Sequence, residues 1–256
     1  MAIAMNASRP AVALSRPHLA RRLLAEFLGT ALLVTIVVGS GIAAASLSPD
    51  DVGLQLLENS LATALGLAVL ILMFGPVSGA HFNPVVTLVD WMIGARAAAG
   101  LPLRDVGPYI AAQVLGGSAG AVLANVMFEL PSQLSSTDRV TGGHLVAEVV
   151  ATGGLVLLIF SLARTSQGSV TAAAVGAYIG AAYWFTSSTS FANPAVTVAR
   201  VFSDTFAGIA PGSVPPFILM QLLGGALGLA LVLVLYPTAA RAADDVVVPH
   251  SVDAKL

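Results

Sequence analysis

Two stretches of the chain share one pattern: His81-Phe82-Asn83-Pro84-Val85-Val86-Thr87 and Phe191-Ala192-Asn193-Pro194-Ala195-Val196-Thr197. Both contain Asn-Pro-x-Val-Thr, and their asparagines lie 110 residues apart. An asparagine before a proline is a good helix start, because the asparagine caps free backbone N–H groups and proline fits the first helical position. Each stretch therefore predicts a helix that begins inside a loop.

The composition is that of a membrane protein. Hydrophobic residues make up 57% of the 256 residues, and charged residues make up only 9%, against roughly a quarter in soluble domains. The net charge of -2 argues against nucleic acid as a partner. No ligand-type side chain stands at metal-binding spacing beside His81, so we expect no metal or cofactor. The chain shows no nucleophile–base pair and no phosphate loop, so we expect no enzyme.

Six apolar stretches are long enough, at about 17–25 residues, to cross a bilayer as helices. They cover residues 21–46, 54–76, 107–128, 144–163, 169–187 and 214–236. An even number of spans places both termini on one side. Of the 11 Lys and Arg residues, only Arg139 and Arg200 fall on the other side, so the termini are predicted to be cytoplasmic. We expect a multi-pass protein of the plasma membrane, which is the inner membrane in a bacterium.

The chain also repeats itself. Glu26 and Glu148 stand in matching places in spans one and four, and Gln113 and Gln221 do so in spans three and six. Each half has three spans, an odd number, so the second half enters the membrane from the opposite side as an inverted repeat. The predicted segments are a cytoplasmic tail (1–20), a first repeat (21–128) with a short helix at 83–93, an extracellular loop (129–143), a second repeat (144–238) with a short helix at 193–202, and a cytoplasmic tail (239–256).

Each short helix is predicted to cross only half of the membrane. About ten residues make a helix of roughly 15 Å, half of a 30 Å hydrocarbon core. The two N-termini should meet at the midplane, and the non-helical backbone before each helix should line a water-filled path, because lipid cannot satisfy it. The carbonyl groups predicted to form a ladder of acceptors belong to Gly79, Ala80, His81, Ser188, Thr189 and Ser190.

Over residues 21–238, the paired motifs and the repeated Glu and Gln resemble the aquaporins of the major intrinsic protein family. The resemblance implies an all-α membrane protein with six transmembrane helices and two re-entrant half-helices. It also implies a homotetramer in the lipid bilayer, with one pore per subunit for small neutral solutes. The implied pore motifs are Asn83, Pro84 and Val85 with Asn193, Pro194 and Ala195.

The resemblance assigns further roles. Asn83 and Asn193 would donate amide N–H groups to the passing solute, and His81 would face the cytoplasmic half of the pore. Glu26 and Glu148 would hold the re-entrant loops from inside the membrane. Acidic residues inside a membrane also occur at coupling sites, so an ion-coupled secondary transporter of a small polar solute is the alternative.

The chain departs from the family at the outer filter. Most members have arginine three residues after the second asparagine, but this chain has Val196. Family spacing puts the other filter positions at Thr63, Ala181 and Ser190. A filter without guanidinium or ring predicts a wide pore, and it resembles bacterial aquaporins associated with arsenic resistance. The implied solutes are arsenous acid and similar uncharged metalloids, with glycerol or urea as further candidates.

Arg200 allows two interpretations. It lies one helical turn after Val196 and could reach back as a displaced filter charge. The interpretation that we favour from sequence is a cation placed near a helix C-terminus, where the helix dipole stabilises it. Its counterpart in the first repeat, Asp90, is expected to be a hydrated acid at the cytoplasmic mouth.

Overall fold

The computed structural model describes residues 17–95, 100–165 and 167–237. Within these ranges the chain forms eight α-helices and no strand. The helices are α1 (Leu19–Leu47), α2 (Val52–Ser78), α3 (Pro84–Gly94), α4 (Leu103–Met127), α5 (Gly142–Arg164), α6 (Gly168–Phe185), α7 (Pro194–Ala199) and α8 (Val214–Leu235). The parts of the predicted tails at 1–16 and 239–256 lie outside the described residues, as do Arg9, Arg16, Arg96, Arg241 and Lys255 of the orientation argument.

The two halves have the same order of elements. Helices α1 to α4 run long, long, short, long, and helices α5 to α8 repeat this order. In the first half α1 packs along α4, and in the second half α5 packs along α8; α2 and α6 pack together and join the halves. This arrangement confirms the all-helical fold expected from the repeated motifs.

Glycines bring the paired helices into backbone contact at equivalent places. A Cβ atom on Gly116 of α4 would lie 2.2 Å from the carbonyl oxygen of Phe27 in α1. A Cβ atom on Gly224 of α8 would lie 2.5 Å from the carbonyl oxygen of Val149 in α5. Any side chain at either position would push the helices apart. Such close packing drives helix association in lipid, where burial from water contributes little.

Five of the described helices are long and apolar enough to span a membrane, namely α1, α2, α4, α5 and α8 with its preceding turn. The sixth predicted span, at 169–187, corresponds to α6. This helix has 18 residues, fewer than any of those five, and consists largely of alanine, glycine, tyrosine and tryptophan. At 1.5 Å per residue it is about 27 Å long, close to the thickness of the hydrocarbon core.

The two short helices begin where the paired motifs place them. In α3, the Asn83 Oδ1 accepts a hydrogen bond from the N–H of Val85 at 2.9 Å. In α7, the Asn193 Oδ1 accepts from the N–H of Ala195 at 2.9 Å. Helix α3 is 11 residues long, whereas α7 has six residues and continues as a 3₁₀ turn, Arg200–Phe202. The second half-helix is thus tightened at its end, as is common at helix termini.

Candidate functional site

The two asparagines are linked to each other's loops. The Asn83 Nδ2 donates to the carbonyl oxygen of Ala192 at 2.8 Å, and the Asn193 Nδ2 donates to that of Phe82 at 2.7 Å. The N-termini of α3 and α7 are therefore held together tip to tip. An amide nitrogen carries two N–H groups, so each asparagine keeps one for another acceptor. Both side chains border the same internal cavity.

The backbone before each half-helix is not helical. Ala80 and Phe82 in the first loop have φ angles of 50° and 49°, and Ser190 and Ala192 in the second have 52° and 48°. This left-handed conformation is uncommon for residues other than glycine, and it persists only where the surroundings hold it. Residues in this left-handed conformation cannot continue a right-handed helix, so each loop separates its half-helix from the long helix before it.

The expected ladder of carbonyl groups is only partly beside the cavity. Of its residues, Ala80, His81 and Ser190 border the cavity, together with Phe82 and the second loop's Phe191 and Ala192. The other three, Gly79, Ser188 and Thr189, are not among the lining residues. The residues nearest each asparagine therefore border the cavity, and the earlier residues of the loops do not.

The Glu26 carboxylate is enclosed by the first loop. It accepts four hydrogen bonds, from Ser78 Oγ (2.6 Å), His81 N (3.0 Å), Phe82 N (2.8 Å) and Gln113 Nε2 (2.7 Å). Its side chain is fully buried. These contacts tie two backbone groups of the loop to α1 and α4.

The Glu148 carboxylate repeats this pattern in the second half. It accepts from Ser188 Oγ (2.6 Å), Phe191 N (2.9 Å), Ala192 N (2.9 Å) and Gln221 Nε2 (2.7 Å). A carboxylate has about four lone-pair sites, so neither glutamate has an acceptor site left for a transported ion.

The threonine that ends each motif completes the support, a role that the sequence analysis did not assign. Gln113 Nε2 donates to Thr87 Oγ1 at 2.9 Å, and Thr87 donates to the Asn83 carbonyl at 3.0 Å. Gln221 and Thr197 make the same contacts in the second half, both at 2.8 Å. The signal was present in the sequence, because Thr87 and Thr197 occupy the same place in the two motifs.

An internal cavity of about 70 Å³ runs past the paired asparagines. A cavity needs roughly 10–15 Å³ to hold one water molecule, so this one has room for several. The apolar residues on its surface include Leu33, Val37, Leu67, Ile71, Val86, Leu155, Ile159, Val175 and Ile179. The polar side chains that border the cavity belong to Thr63, His81, Asn83, Thr171, Tyr183, Ser190, Asn193 and Arg200. Such a surface combines a few hydrogen-bonding side chains with a mainly apolar lining.

Three of the four expected filter residues border this cavity: Thr63, Ser190 and Val196. The fourth assignment, Ala181, does not fit, because Ala181 is exposed on the outer face of α6. Tyr183 borders the cavity instead, and its hydroxyl lies 3.2 Å from Thr63 Oγ1. Two residues along a helix are about 200° apart around its axis, so a small error in counting moves a side chain to the opposite face.

Arg200 also borders the cavity, against the interpretation that we favoured from sequence. Its side chain is buried, its guanidinium carbon lies 3.6 Å from the centre of the Phe191 ring, and its Nε donates to the Ala207 carbonyl. The cavity surface therefore includes a guanidinium and aromatic rings, which the expectation drawn from Val196 did not include. The spacing from Val196 was the signal, since four residues later on a helix returns to the same face.

Asp90 differs from its expectation too. Its side chain is buried rather than hydrated, and it accepts a hydrogen bond from the backbone N–H of Leu101 at 2.8 Å. It lies 3.9 Å from the Nε2 atom of His81. The His81 Nδ1 lies 3.2 Å from Thr87 Oγ1, so this ring has a polar neighbour on each side. The backbone at Leu101, beyond the end of α3, thus contacts the Asp90 carboxylate.

Sequence comparison finds a matching family and several similar proteins. Residues 13–190 match the family model described as Major intrinsic protein. The chain is 49% identical over 214 residues to Aquaglyceroporin AqpS of Rhizobium meliloti, with coverage of 83% of this chain and 89% of that protein. It is 32% identical over 234 residues to Aquaporin Z of Rhodopseudomonas palustris, with coverage of 84% and 92%.

The fold has a match among solved structures. The aquaglyceroporin from Plasmodium falciparum superposes with a TM-score of 0.64 at 20% identity, covering 87% of this chain and 99% of that one. At this identity the match supports the fold only. The family match and the similarity to whole aquaporins lead to one conclusion: this chain belongs to the major intrinsic protein family.

Proposed function

We propose that the pore passes glycerol and uncharged metalloid hydroxides such as arsenous acid, in addition to water. Family membership supports the general function: the chain is a multi-pass membrane channel for water and small solutes, not an enzyme. The observation that supports passage of glycerol and metalloid hydroxides is Val196, which borders the cavity at the position where most members have arginine. Similarity to a protein named aquaglyceroporin supports it.

The chemistry of the cavity suits a neutral polyhydroxyl solute. Such a solute needs hydrogen bonds on one side and tolerates an apolar surface on the other. The remaining amide N–H groups of Asn83 and Asn193 are the proposed donors at the centre, and the carbonyls of Ala80 and His81 are the proposed acceptors. Binding at each point stays weak, because conduction requires that a solute can leave as well as enter.

Passive flow is favoured over ion coupling. A coupled transporter needs titratable or ion-coordinating groups that are free to exchange a proton or an ion at the midplane. Glu26 and Glu148 each accept four hydrogen bonds and are fully buried, so they serve the loops. We therefore propose that both are structural.

The assembly and topology are proposals as well. We propose a homotetramer with cytoplasmic termini, in which the chain divides into repeats at 21–128 and 144–238 around an extracellular loop at 129–143. The described helices carry exposed leucines, such as Leu65, Leu72 and Leu115, at more than 60% exposure each. Lipid or neighbouring subunits would cover such residues.

The test is stopped-flow light scattering on proteoliposomes, comparing water, glycerol and arsenous acid. We expect all three to cross faster than in protein-free liposomes. The flux should be unchanged when ionophores remove the proton and sodium gradients. Flux that follows either gradient would indicate a transporter, and water flux without glycerol or arsenous acid flux would contradict the proposed solutes.

A further inference from the structure

Arg200 is held in place by two contacts at the outer end of the cavity. Its guanidinium carbon lies over the Phe191 ring, 3.6 Å from the ring centre. Its Nε donates to the carbonyl oxygen of Ala207, in the loop that follows the 3₁₀ turn. Cation–π contact and the hydrogen bond fix the plane of the group. The residue is only 3% exposed.

The two Nη atoms of this guanidinium have no hydrogen-bond partner in the described part of the chain. Among residues 17–95, 100–165 and 167–237, neither Nη atom of Arg200 has a hydrogen bond, and no carboxylate lies within ion-pair distance. The Nη atoms keep some accessible surface, and Arg200 borders the cavity, so their N–H groups are open to an acceptor inside it.

A second polar group nearby is also unpaired. The hydroxyl oxygen of Ser190 is buried without a hydrogen-bond partner in the described part of the chain, and Ser190 borders the same cavity. Tyr183 and Thr63, whose hydroxyl groups lie 3.2 Å apart, complete the polar part of this end. The guanidinium supplies donors only, whereas the hydroxyl groups can donate or accept.

We propose that Arg200 is a specificity-determining residue that supplies the guanidinium of the outer filter from one turn beyond Val196. The proposal rests on the proposed function and deepens it. The solute that fits is small and neutral, with a hydroxyl or carbonyl oxygen to accept from Arg200, such as glycerol or urea. A cation at this point meets the buried positive charge of Arg200, which no carboxylate in the described part of the chain approaches within ion-pair distance.

Arg139 provides a matched control. Its Nε and Nη2 donate to the carbonyls of Gly208 and Phe206, and its guanidinium carbon lies 5.3 Å from the Phe191 ring centre. It therefore anchors the same loop and contacts the same ring, but it does not border the cavity. Loss of loop anchoring would affect both arginine variants, whereas loss of a solute contact would affect only Arg200.

The experiment uses the absence of cysteine from the chain. In proteoliposomes, mercuric ion should block glycerol and urea flux through Arg200→Cys several-fold, with recovery on addition of a thiol. It should leave the wild type and Arg139→Cys unchanged. Arg200→Cys that is modified, as shown by mass spectrometry, yet conducts normally would overturn the proposal.

A second measurement covers the case in which Arg200→Cys fails to assemble. The ratio of glycerol to water permeability should rise in Arg200→Gln, because the shorter neutral side chain widens this end and holds water less firmly. Arg139→Gln should keep the wild-type ratio. Equal ratios in all three proteins, or equal shifts in both variants, would overturn the proposal. A wild type without solute flux would instead contradict the proposed function.

Discussion

Asn83 and Asn193 exchange hydrogen bonds across the centre of the protein. Each side chain caps its own half-helix through Oδ1 and donates through Nδ2 to the carbonyl that precedes the other asparagine, at 2.8 and 2.7 Å. Because cap and cross-link belong to one side chain, the junction of the two half-helices depends on both oxygen and nitrogen of each amide.

Replacement of Asn193 should separate the two functions of the amide. Asn193→Ala should lower the free energy of unfolding by about 1 kcal/mol for the cap and about 1 kcal/mol for the hydrogen bond to Phe82. Asn193→Ser should retain most of the cap but lose the donor. We expect reduced solute flux in both variants, with higher thermal stability for the serine variant, as measured by stopped flow and by unfolding in detergent. Unchanged flux per assembled channel would contradict the placement of Asn193 in the pore.

Glu148→Gln should destabilise the second loop. An amide in place of the carboxylate would direct an NH₂ group at two of the four donors, including the backbone N–H of either Phe191 or Ala192. We expect a loss on the order of 3 kcal/mol in unfolding free energy, since hydrogen bonds to a charged group are the stronger ones. The control is Glu129→Gln, the same change on an exposed residue. Similar stability of the two variants would show that the carboxylate does not hold the loop.

Val196→Arg should make the channel more selective for water. The new side chain adds a long cation with five donors beside Arg200, so it narrows the outer end of the cavity. Glycerol and arsenous acid flux should fall several-fold more than water flux in stopped-flow assays. The control Val196→Ala should leave or raise the flux of the larger solutes. If all solutes change equally, Val196 does not set the width.

The channel should exclude cations. Each half-helix presents about half a positive charge at its N-terminus, so the two together act as about one unit charge at the midplane. At about 4 Å and an effective dielectric constant near 20, a monovalent cation meets roughly 4 kcal/mol of repulsion. We expect no proton or sodium current in planar bilayers made with protein that conducts glycerol in liposomes. An ohmic cation current at that protein density would refute this electrostatic account.

Much of the architecture was predictable from local patterns. The paired Asn-Pro motifs indicated two helix starts, and the first residues of α3 and α7 agree with them to within a residue. Glu26 and Glu148 stood in matching places, so a shared role could be inferred before any contact was known. These features are readable because a cap, a repeat and a helix length depend on residues close together in sequence.

The composition of the cavity surface was less predictable, and Ala181, Tyr183, Arg200 and Asp90 show why. Helix α6 is apolar around its whole circumference, and lipid accepts an apolar face as readily as the protein interior does. Periodicity therefore could not indicate that Tyr183 faces inward and Ala181 outward; packing against α2 decides this.

The sequence by itself determined the membrane class, the inverted repeat and the two half-helices, because each follows from hydropathy, internal similarity and capping. Only the tertiary structure decided which long side chains reach the cavity. Arg200 borders it because the Phe191 ring and the Ala207 carbonyl, from two other segments, hold its guanidinium there. Asp90 is buried because the segment containing Leu101 folds over it. Both outcomes depend on contacts between segments, and residue spacing along one helix does not determine such contacts.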